Sequence, residues 1–188
     1  MKIVSYYTPL YEEEAQTLIK SLEKFKLKYS VEKLPCLGSW AANCRQKIPY
    51  ILKHLKEGPI FWTDADSVIQ QYPSLIFDLD CDMALHNFKD KEYQGGTMYF
   101  NNTVKMISFV KRWIEYLNSD QYLKSPGRKG DQSALNDLLN KPNDLIIKPL
   151  PPEYCFIFDL SKQYYGNLNP VIEHFQASRK FKTIVGRK

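Results

Sequence analysis

Segments with strand and helix patterns alternate along the first half of the chain. Short apolar or aromatic runs predict strands at residues 2–8, 29–34 and 60–62. Between these runs, apolar residues at helical spacing predict helices over residues 12–28 and 41–56. Strands that alternate with helices in this way form a largely parallel sheet that is covered by helices. The alternation, in a chain of 188 residues, predicts a single α/β domain.

The second half of the chain is more irregular, and it continues both patterns at wider spacing. Further strands are predicted at residues 81–88, 94–100, 145–150 and 171–175, and further helices at residues 103–117 and 131–140. A loop rich in glycine and basic residues covers residues 125–130. There is no internal repeat, so the later segments are expected to extend the same domain.

Charge and composition narrow the classes of partner. The net charge of +5 suits an anionic small molecule, and it suits a solvated surface equally well. No basic stripe carries interleaved aromatic residues, so a nucleic-acid partner is not expected. Four scattered cysteines fit free thiols in a reducing compartment, and no apolar run approaches the ~20 residues that span a bilayer. We therefore expect a cytoplasmic protein without a transmembrane segment, or one domain cut from a longer chain. A basic tail over residues 179–188 could contact phosphates or a membrane surface, or be disordered.

Two carboxylates follow the third predicted strand. Asp64 and Asp66 come directly after the apolar run 60–62. In open α/β sheets, ligands bind beyond the carboxyl ends of the strands, and alternate residues of an extended segment point the same way. Both carboxylates are therefore expected to face one hard cation, Mg²⁺ or Mn²⁺, that bridges to a diphosphate. The competing interpretation is an ordinary capping or turn pair, because Asp is also favoured there for local reasons.

Three other segments carry candidate residues. Two glycines and a threonine at 95–97 could let the backbone pass close to a ligand, or could form a plain turn. Asp131 and Gln132 begin a predicted helix, where they could serve a substrate or cap the helix. His174 follows an apolar pair near the end of the chain, and a lone histidine is more often structural than a ligand. Each of these signals is weak by itself.

Taken together and in order, these segments resemble the GT-A class of glycosyltransferases, which use nucleotide-diphosphosugars. The matching segments are residues 2–8, 43–50, 61–66, 95–101, 131–136 and 172–175. The resemblance implies a Rossmann-like GT-A domain over residues 1–188 with a mixed, mostly parallel central sheet. It also implies a nucleotide-binding half over residues 1–100, and a half over residues 101–188 that completes the acceptor and metal sites.

The resemblance further implies a role for each candidate residue. Asp64, Asp66 and His174 are expected to bind the metal, and an imidazole ligand favours Mn²⁺ over Mg²⁺. A larger set of residues is expected to bind the donor, by forming the wall for the base and ribose, contacting the diphosphate or lining the donor sugar. These residues are Tyr6, Tyr7, Thr8, Arg45, Lys47, Asp64, Ala65, Asp66, Gly95, Gly96, Thr97 and Arg179. Asp131 and Gln132 are expected to act on the reacting sugar.

The implied reaction moves a sugar from a nucleotide-diphosphosugar, by default a UDP-sugar, to a hydroxyl of a glycan or glycoprotein. If configuration inverts, Asp131 is the candidate base for the acceptor proton. If configuration is retained, the departing phosphate is the base and Gln132 or Asp131 positions the sugar. The Asp-Gln-x-x-x-Asn pattern is similar to that of some retaining members and favours retention. The last motif lacks the Gly-Lys-Pro-Trp continuation of glycogenin-like enzymes, which weakens the case for Arg179 as a phosphate ligand.

Two other functions remain open at this point. The run 64–68 also fits the nucleophile motif of haloacid-dehalogenase phosphohydrolases, in which Asp64 would attack a phosphate. That motif usually follows the first strand, whereas here it follows the third. The chain could also be a nucleotide-sugar-binding domain without catalytic turnover.

Overall fold

A six-stranded mixed sheet forms the centre of the computed structural model, which describes residues 1–125 and 130–180. In chain order the strands are β1 (Lys2–Tyr7), β2 (Tyr29–Lys33), β3 (Ile60–Thr63), β4 (Ser67–Ile69), β5 (Met83–Phe88), β6 (Glu92–Phe100), β7 (Ile147–Pro149), β8 (Phe156–Ile157) and β9 (Ile172–His174). The central sheet has the order β2-β1-β3-β6-β5-β7, and within it β6 runs antiparallel to both of its neighbours while the other pairings are parallel. The predicted mixed, mostly parallel sheet is confirmed.

Seven helices are described around these strands: α1 (Glu12–Lys24), α2 (Trp40–Arg45), α3 (Lys47–Leu55), α4 (Val104–Leu117), α5 (Asp120–Leu123), α6 (Asp131–Leu139) and α7 (Leu160–Tyr165). The helix predicted over residues 41–56 is therefore two helices. Pro49 lies in the first turn of α3, where a backbone N–H is not needed, so α3 begins near it as predicted. None of the described helices is long and apolar enough to cross a bilayer.

The central strand β3 separates two apolar layers. All four of its residues are buried, as expected for a strand covered on both faces. Because alternate side chains of a strand point to opposite faces, Trp62 packs among residues of α3, α4 and α6. Phe61 packs on the other side against the apolar residues of α1. This packing holds β3 firmly, and the Asp-x-Asp segment emerges directly from its carboxyl end.

A second, three-stranded sheet with the order β4-β9-β8 brings the end of the chain back to that segment. β4 begins immediately after Asp66 and pairs antiparallel with β9, with Ser67 opposite His174 in the register. The sequence predicted β9 but not β4, β8 or α7, which are all short. Because of this pairing, His174 lies beside the two aspartates although it is distant from them in sequence.

Candidate active site

A cleft of about 950 Å³ opens at the carboxyl ends of β1 and β3. β1 lies between β2 and β3 in the sheet. The chain therefore leaves β1 towards one side of that strand and leaves β2 towards the other side. In open α/β sheets, ligands bind where the connections diverge in this way. The predicted site residues that line the cleft are Tyr6, Tyr7, Thr8, Lys47, Asp64, Ala65, Asp66, Gly95, Asp131 and Gln132. The segments that the resemblance assigned to the donor and to the reacting sugar are thus brought together here, and their contact with a ligand stays a prediction.

A buried ammonium group links two of the carboxylates that line the cleft, those of Asp64 and Asp131. Lys47 Nζ lies 2.9 Å from Asp64 Oδ1 and 2.8 Å from Asp131 Oδ2, and it donates a hydrogen bond to the carbonyl oxygen of Gly95 at 3.2 Å. Burial alone would lower the pKa of Lys47, but Asp131 and Asp64 outweigh that effect and hold the pKa well above its ordinary value. Lys47 is therefore a permanent cation that fixes both carboxylates.

Further contacts orient Asp64. The indole Nε1–H of Trp62 donates to Asp64 Oδ1 at 3.0 Å, and the backbone N–H of Asp64 donates to the carbonyl oxygen of Gly96 at 2.9 Å. The Lys47 ammonium also lies 5.2 Å from the centre of the Trp62 ring, within the range of a cation–π contact. These contacts come from α3, β3 and β6, so three elements of the core hold one carboxylate in place.

Asp64, Asp66 and His174 form a group that fits a divalent cation. One ligand atom from each side chain lies within 4.8 Å of the others. The backbone N–H of Ala177 donates to Asp66 Oδ2 at 2.8 Å, which orients that carboxylate. Two carboxylates and an imidazole match the ligands that Mn²⁺ accepts, and the carboxylates also suit Mg²⁺.

Burial sets the protonation of two members of this group. Burial raises the pKa of Asp66 to about 6, and the neighbouring charge of Asp64 adds to the rise. Burial lowers the pKa of His174 to about 4, so its imidazole is neutral near pH 7 and has a lone pair for a metal. A cation bound here would remove the repulsion between the two carboxylates.

Gly96 and Thr97 lie behind the His174 ring and do not line the cleft. His174 Nε2 and Thr97 Oγ1 are 2.7 Å apart and share a hydrogen bond that fixes the orientation of the ring. A Cβ at position 96 would lie 3.1 Å from His174 Cε1, which is tighter than normal packing. Gly96 leaves room for the imidazole and Thr97 orients it, and the predicted contact of the Gly-Gly-Thr segment with the donor stays a prediction.

The Asp-Gln-x-x-x-Asn pattern attaches α6 to the tip of β6. Gln132 Oε1 accepts a hydrogen bond from the N–H of Gly95 at 2.9 Å, and Gln132 Nε2 donates to Glu92 at 2.8 Å. Asn136 accepts from the N–H of Tyr93 and donates to its carbonyl oxygen, both at 2.8 Å. These amides complete the edge of β6 as a neighbouring strand would, and they place Asp131 next to Lys47.

The two arginines assigned to the diphosphate do not line the cleft. The guanidinium of Arg179 is paired with Asp159, and both side chains are exposed. Arg45 is the last residue of α2. Their contact with phosphate stays a prediction. The basic tail over residues 181–188 and the loop over residues 126–129 lie outside the described residues.

Several residues that line the cleft were not identified from the sequence, among them Tyr11, Trp40, Phe88 and Glu92. For Trp40 the sequence does carry a signal, which is Ser39 directly before it. The Ser39 hydroxyl accepts a hydrogen bond from the N–H of Ala42 and so caps α2, which begins at Trp40. Tyr11 lies in a short turn, and Phe88 and Glu92 lie at the ends of strands, where the sequence shows no comparable signal.

Comparison with known proteins places this geometry in a family. Residues 45–182 match the family model described as nucleotide-diphospho-sugar transferase. No curated protein sequence is significantly similar to the chain.

Several solved structures share the fold. The glycosyltransferase GlyE of Streptococcus pneumoniae TIGR4 is 16% identical with a TM-score of 0.67, and the match covers 93% of this chain and 54% of that one. A glycosyltransferase involved in the glycosylation of the major capsid of PBCV-1 is 11% identical with a TM-score of 0.70, covering 98% and 97%. The galactosyltransferase LgtC, solved with donor and acceptor sugar analogs, is 14% identical with a TM-score of 0.58, covering 99% and 95%. At such identities the likeness establishes the GT-A fold alone, and the chain spans about half the length of GlyE.

Replacing Lys47 by methionine should destabilise the metal-free protein by about 3–5 kcal/mol, because the buried carboxylate of Asp131 and the partly buried carboxylate of Asp64 lose their counter-charge. Lys53→Met is the matched control, since Lys53 Nζ also lies 2.9 Å from a carboxylate, Glu32, but the pair is largely exposed. The control should cost less than about 1 kcal/mol. Urea unfolding measures both variants. Equal losses for the two lysines would contradict the buried ion-pair arrangement.

The affinity for Mn²⁺ should rise with pH. With its pKa at about 6, Asp66 carries a proton in more acidic solution that the cation must displace, whereas His174, with its pKa at about 4, is already neutral. We expect an increase of about tenfold between about pH 5 and pH 7 by isothermal titration calorimetry. In the metal-free protein the two shifts oppose each other between about pH 4 and 6, because the raised pKa of Asp66 removes stability as the pH rises and the lowered pKa of His174 adds it. A flat Mn²⁺ affinity over this range would contradict the assignment of Asp66 as a ligand.

Proposed function

The chain belongs to the nucleotide-diphospho-sugar transferase family, and we propose that it is a metal-dependent glycosyltransferase that moves a sugar from a UDP-sugar to a hydroxyl of a glycan or glycoprotein. The main support for this proposal is that a group of candidate metal ligands and a pair of candidate sugar-binding residues face the same cleft. Asp64 and Asp66, with His174 behind them, face the cleft from the end of β3, and Asp131 with Gln132 faces it from the start of α6.

Asp64, Asp66 and His174 would hold Mn²⁺ or Mg²⁺. Bound there, the cation would supply positive charge against the negative charge that grows on the departing diphosphate. The nucleotide would lie along the wall formed by Tyr6, Tyr7 and Thr8 at the end of β1, which is the ligand-binding edge of such sheets. UDP is proposed as the nucleotide because it is the commonest donor nucleotide in the class that the chain resembles.

Lys47 would serve as a positioning residue, and its ammonium is already engaged by Asp64 and Asp131. It would keep the carboxylate of Asp131 close to the sugar, where positive charge develops as the glycosidic bond breaks. Gln132 is held by Gly95 and Glu92, so its amide would present a fixed polar group to the sugar. Because Asp131 Oδ2 is engaged by Lys47, we favour retention of configuration, in which the departing phosphate takes the acceptor proton.

The alternatives receive less support. A phosphohydrolase with Asp64 as nucleophile conflicts with the family match, and it would carry its motif on the first strand of the sheet instead of on β3. A binding domain without turnover would not require Asp131 to be held by a buried lysine beside the metal ligands. Binding of a nucleotide without any sugar release or transfer in Mn²⁺ would favour this second alternative.

Asp66→Asn should reduce Mn²⁺-dependent hydrolysis of a nucleotide-sugar by about 100-fold. The asparagine can still accept the hydrogen bond from Ala177, so the fold should survive, but a charged ligand is lost. Asp78→Asn is the matched control, because Asp78 is exposed and does not line the cleft. Sugar release is measured across a panel of UDP- and GDP-sugars. Wild-type activity of Asp66→Asn with a chelator present would refute the metal role, and a covalent phosphate on Asp64 would favour the phosphohydrolase.

A further inference from the structure

An exposed apolar surface borders the end of the cleft that lies across β3 from the nucleotide wall. It consists of Phe88 at the end of β5 and of Leu160 and Tyr164, one turn apart on α7; we call these three residues the apolar rim. Phe88 and Leu160 line the cleft, and the rings of Phe88 and Tyr164 are 5.5 Å apart. Leu160 is 43% exposed and Tyr164 is 52% exposed. Apolar surface that continues into a cleft marks a binding groove more often than a random patch does.

Contacts with His86 and Lys89 hold the elements of the apolar rim in place. His86 Nδ1–H donates to the carbonyl oxygen of Leu150 at 3.0 Å, which leaves Nε2 to accept from the hydroxyl of Tyr165 at 3.0 Å. This contact attaches α7 to β5. The ammonium of Lys89 lies 4.5 Å from the ring centre of Tyr164 and 5.2 Å from that of Phe88, so it holds both rings by cation–π contacts. A ligand would therefore lose little free energy in ordering this surface.

Polar side chains stand beside the apolar rim. Glu92 pairs with Phe88 in the sheet register, and Glu92 and Gln94 line the cleft from the same face of β6. Glu92 also accepts the hydrogen bond from Gln132, which connects this end of the cleft to the residues proposed to act on the donor sugar. A carboxylate and an amide next to aromatic rings suit a ligand that has several hydroxyls and one apolar face. A pyranose ring has this chemistry, because its C–H bonds form an apolar face and its hydroxyls project from the edge.

We propose that the apolar rim, with Glu92 and Gln94, is the acceptor subsite and takes the terminal pyranose of an uncharged glycan. This inference rests on the proposed function and specifies the acceptor as a sugar and not a protein side chain. The volume of the cleft, about 950 Å³, is near the upper end of the roughly 300–1,000 Å³ of single-ligand pockets. It therefore has room for a sugar beyond the donor. Glu92 and the ammonium of Lys89 place one charge of each sign beside the apolar rim, so neither an anionic nor a cationic sugar is favoured, and the glycan is therefore specified as uncharged.

The test uses Tyr164→Ala and Phe88→Ala, with Tyr72→Ala as the matched control. Tyr72 is also 52% exposed and also contacts other aromatic rings, but its partners Phe25 and Phe77 do not line the cleft, whereas Tyr164 contacts Phe88, which does. Saturation-transfer NMR with methyl glycosides of glucose, galactose, mannose and N-acetylglucosamine, in UDP and Mn²⁺, measures pyranose binding without any reaction. We expect binding of at least one glycoside to the wild type and to Tyr72→Ala, and about tenfold weaker binding to Tyr164→Ala and Phe88→Ala. Tyr164 is so exposed that its replacement should not unfold the chain, which keeps the test valid if Phe88→Ala does not fold.

A second measurement separates this inference from the proposed function. With the best nucleotide-sugar as donor, the ratio of transfer onto the bound glycoside to hydrolysis of the donor should fall about tenfold in Tyr164→Ala and stay unchanged in Tyr72→Ala. If the wild type splits no nucleotide-sugar but binds glycosides through the apolar rim, the proposed function fails and the subsite stands. If the wild type binds no glycoside, if Tyr164→Ala binds glycosides as the wild type does, or if sugar is transferred to a serine-containing peptide and to none of the glycosides, the subsite is refuted.

Discussion

The rest of the site depends on the ion pairs that the Lys47 ammonium forms with Asp64 and Asp131. The ammonium lies within 3 Å of carboxylates from two different elements, Asp64 after β3 and Asp131 at the start of α6. Burying Lys47 and Asp131 and partly burying Asp64 is costly, and such a cluster seldom adds net stability compared with apolar packing. Its presence is therefore best explained by what it positions. It sets the distance between the proposed metal ligands and the residues proposed to act on the sugar.

The small second sheet completes the site from the opposite end of the chain. β4 continues directly from Asp66 and pairs with β9, which carries His174, while Gly96 and Thr97 of β6 shape the space for the imidazole. The ligands thus come from the connection between β3 and β4 and from β9. Ile69 of β4, Tyr99 of β6 and Ile172 of β9 belong to one apolar cluster that holds these strands together. The pairing of β4 with β9 therefore explains how residues from both halves of this short chain form one site.

The parts of the molecule that depend on local patterns were predictable. The alternation of strands and helices gave the layers, and the buried run before Asp64 indicated that two carboxylates stand at the edge of the sheet. Contacts between distant residues were not predictable in the same way. Lys47 was assigned to the diphosphate because nothing local shows that Asp131 would reach it, and Arg179 likewise gave no sign of Asp159. The short elements β4 and α7 were not predicted, because they have too few residues to show the periodic pattern of a strand or a helix. Two residues of the apolar rim lie on α7 and were therefore not predicted either.

In the mechanism that we propose, one divalent cation lies between Asp64, Asp66 and His174 and holds the diphosphate of a nucleotide-sugar. The most direct measurement is anomalous diffraction, at the manganese absorption edge, from crystals of the protein grown with Mn²⁺ and UDP. We predict one strong anomalous peak within coordination distance of all three side chains, with density for the nucleotide diphosphate next to it and the base against Tyr6 and Tyr7. A manganese peak away from these residues, or nucleotide density outside the cleft, would contradict the claim.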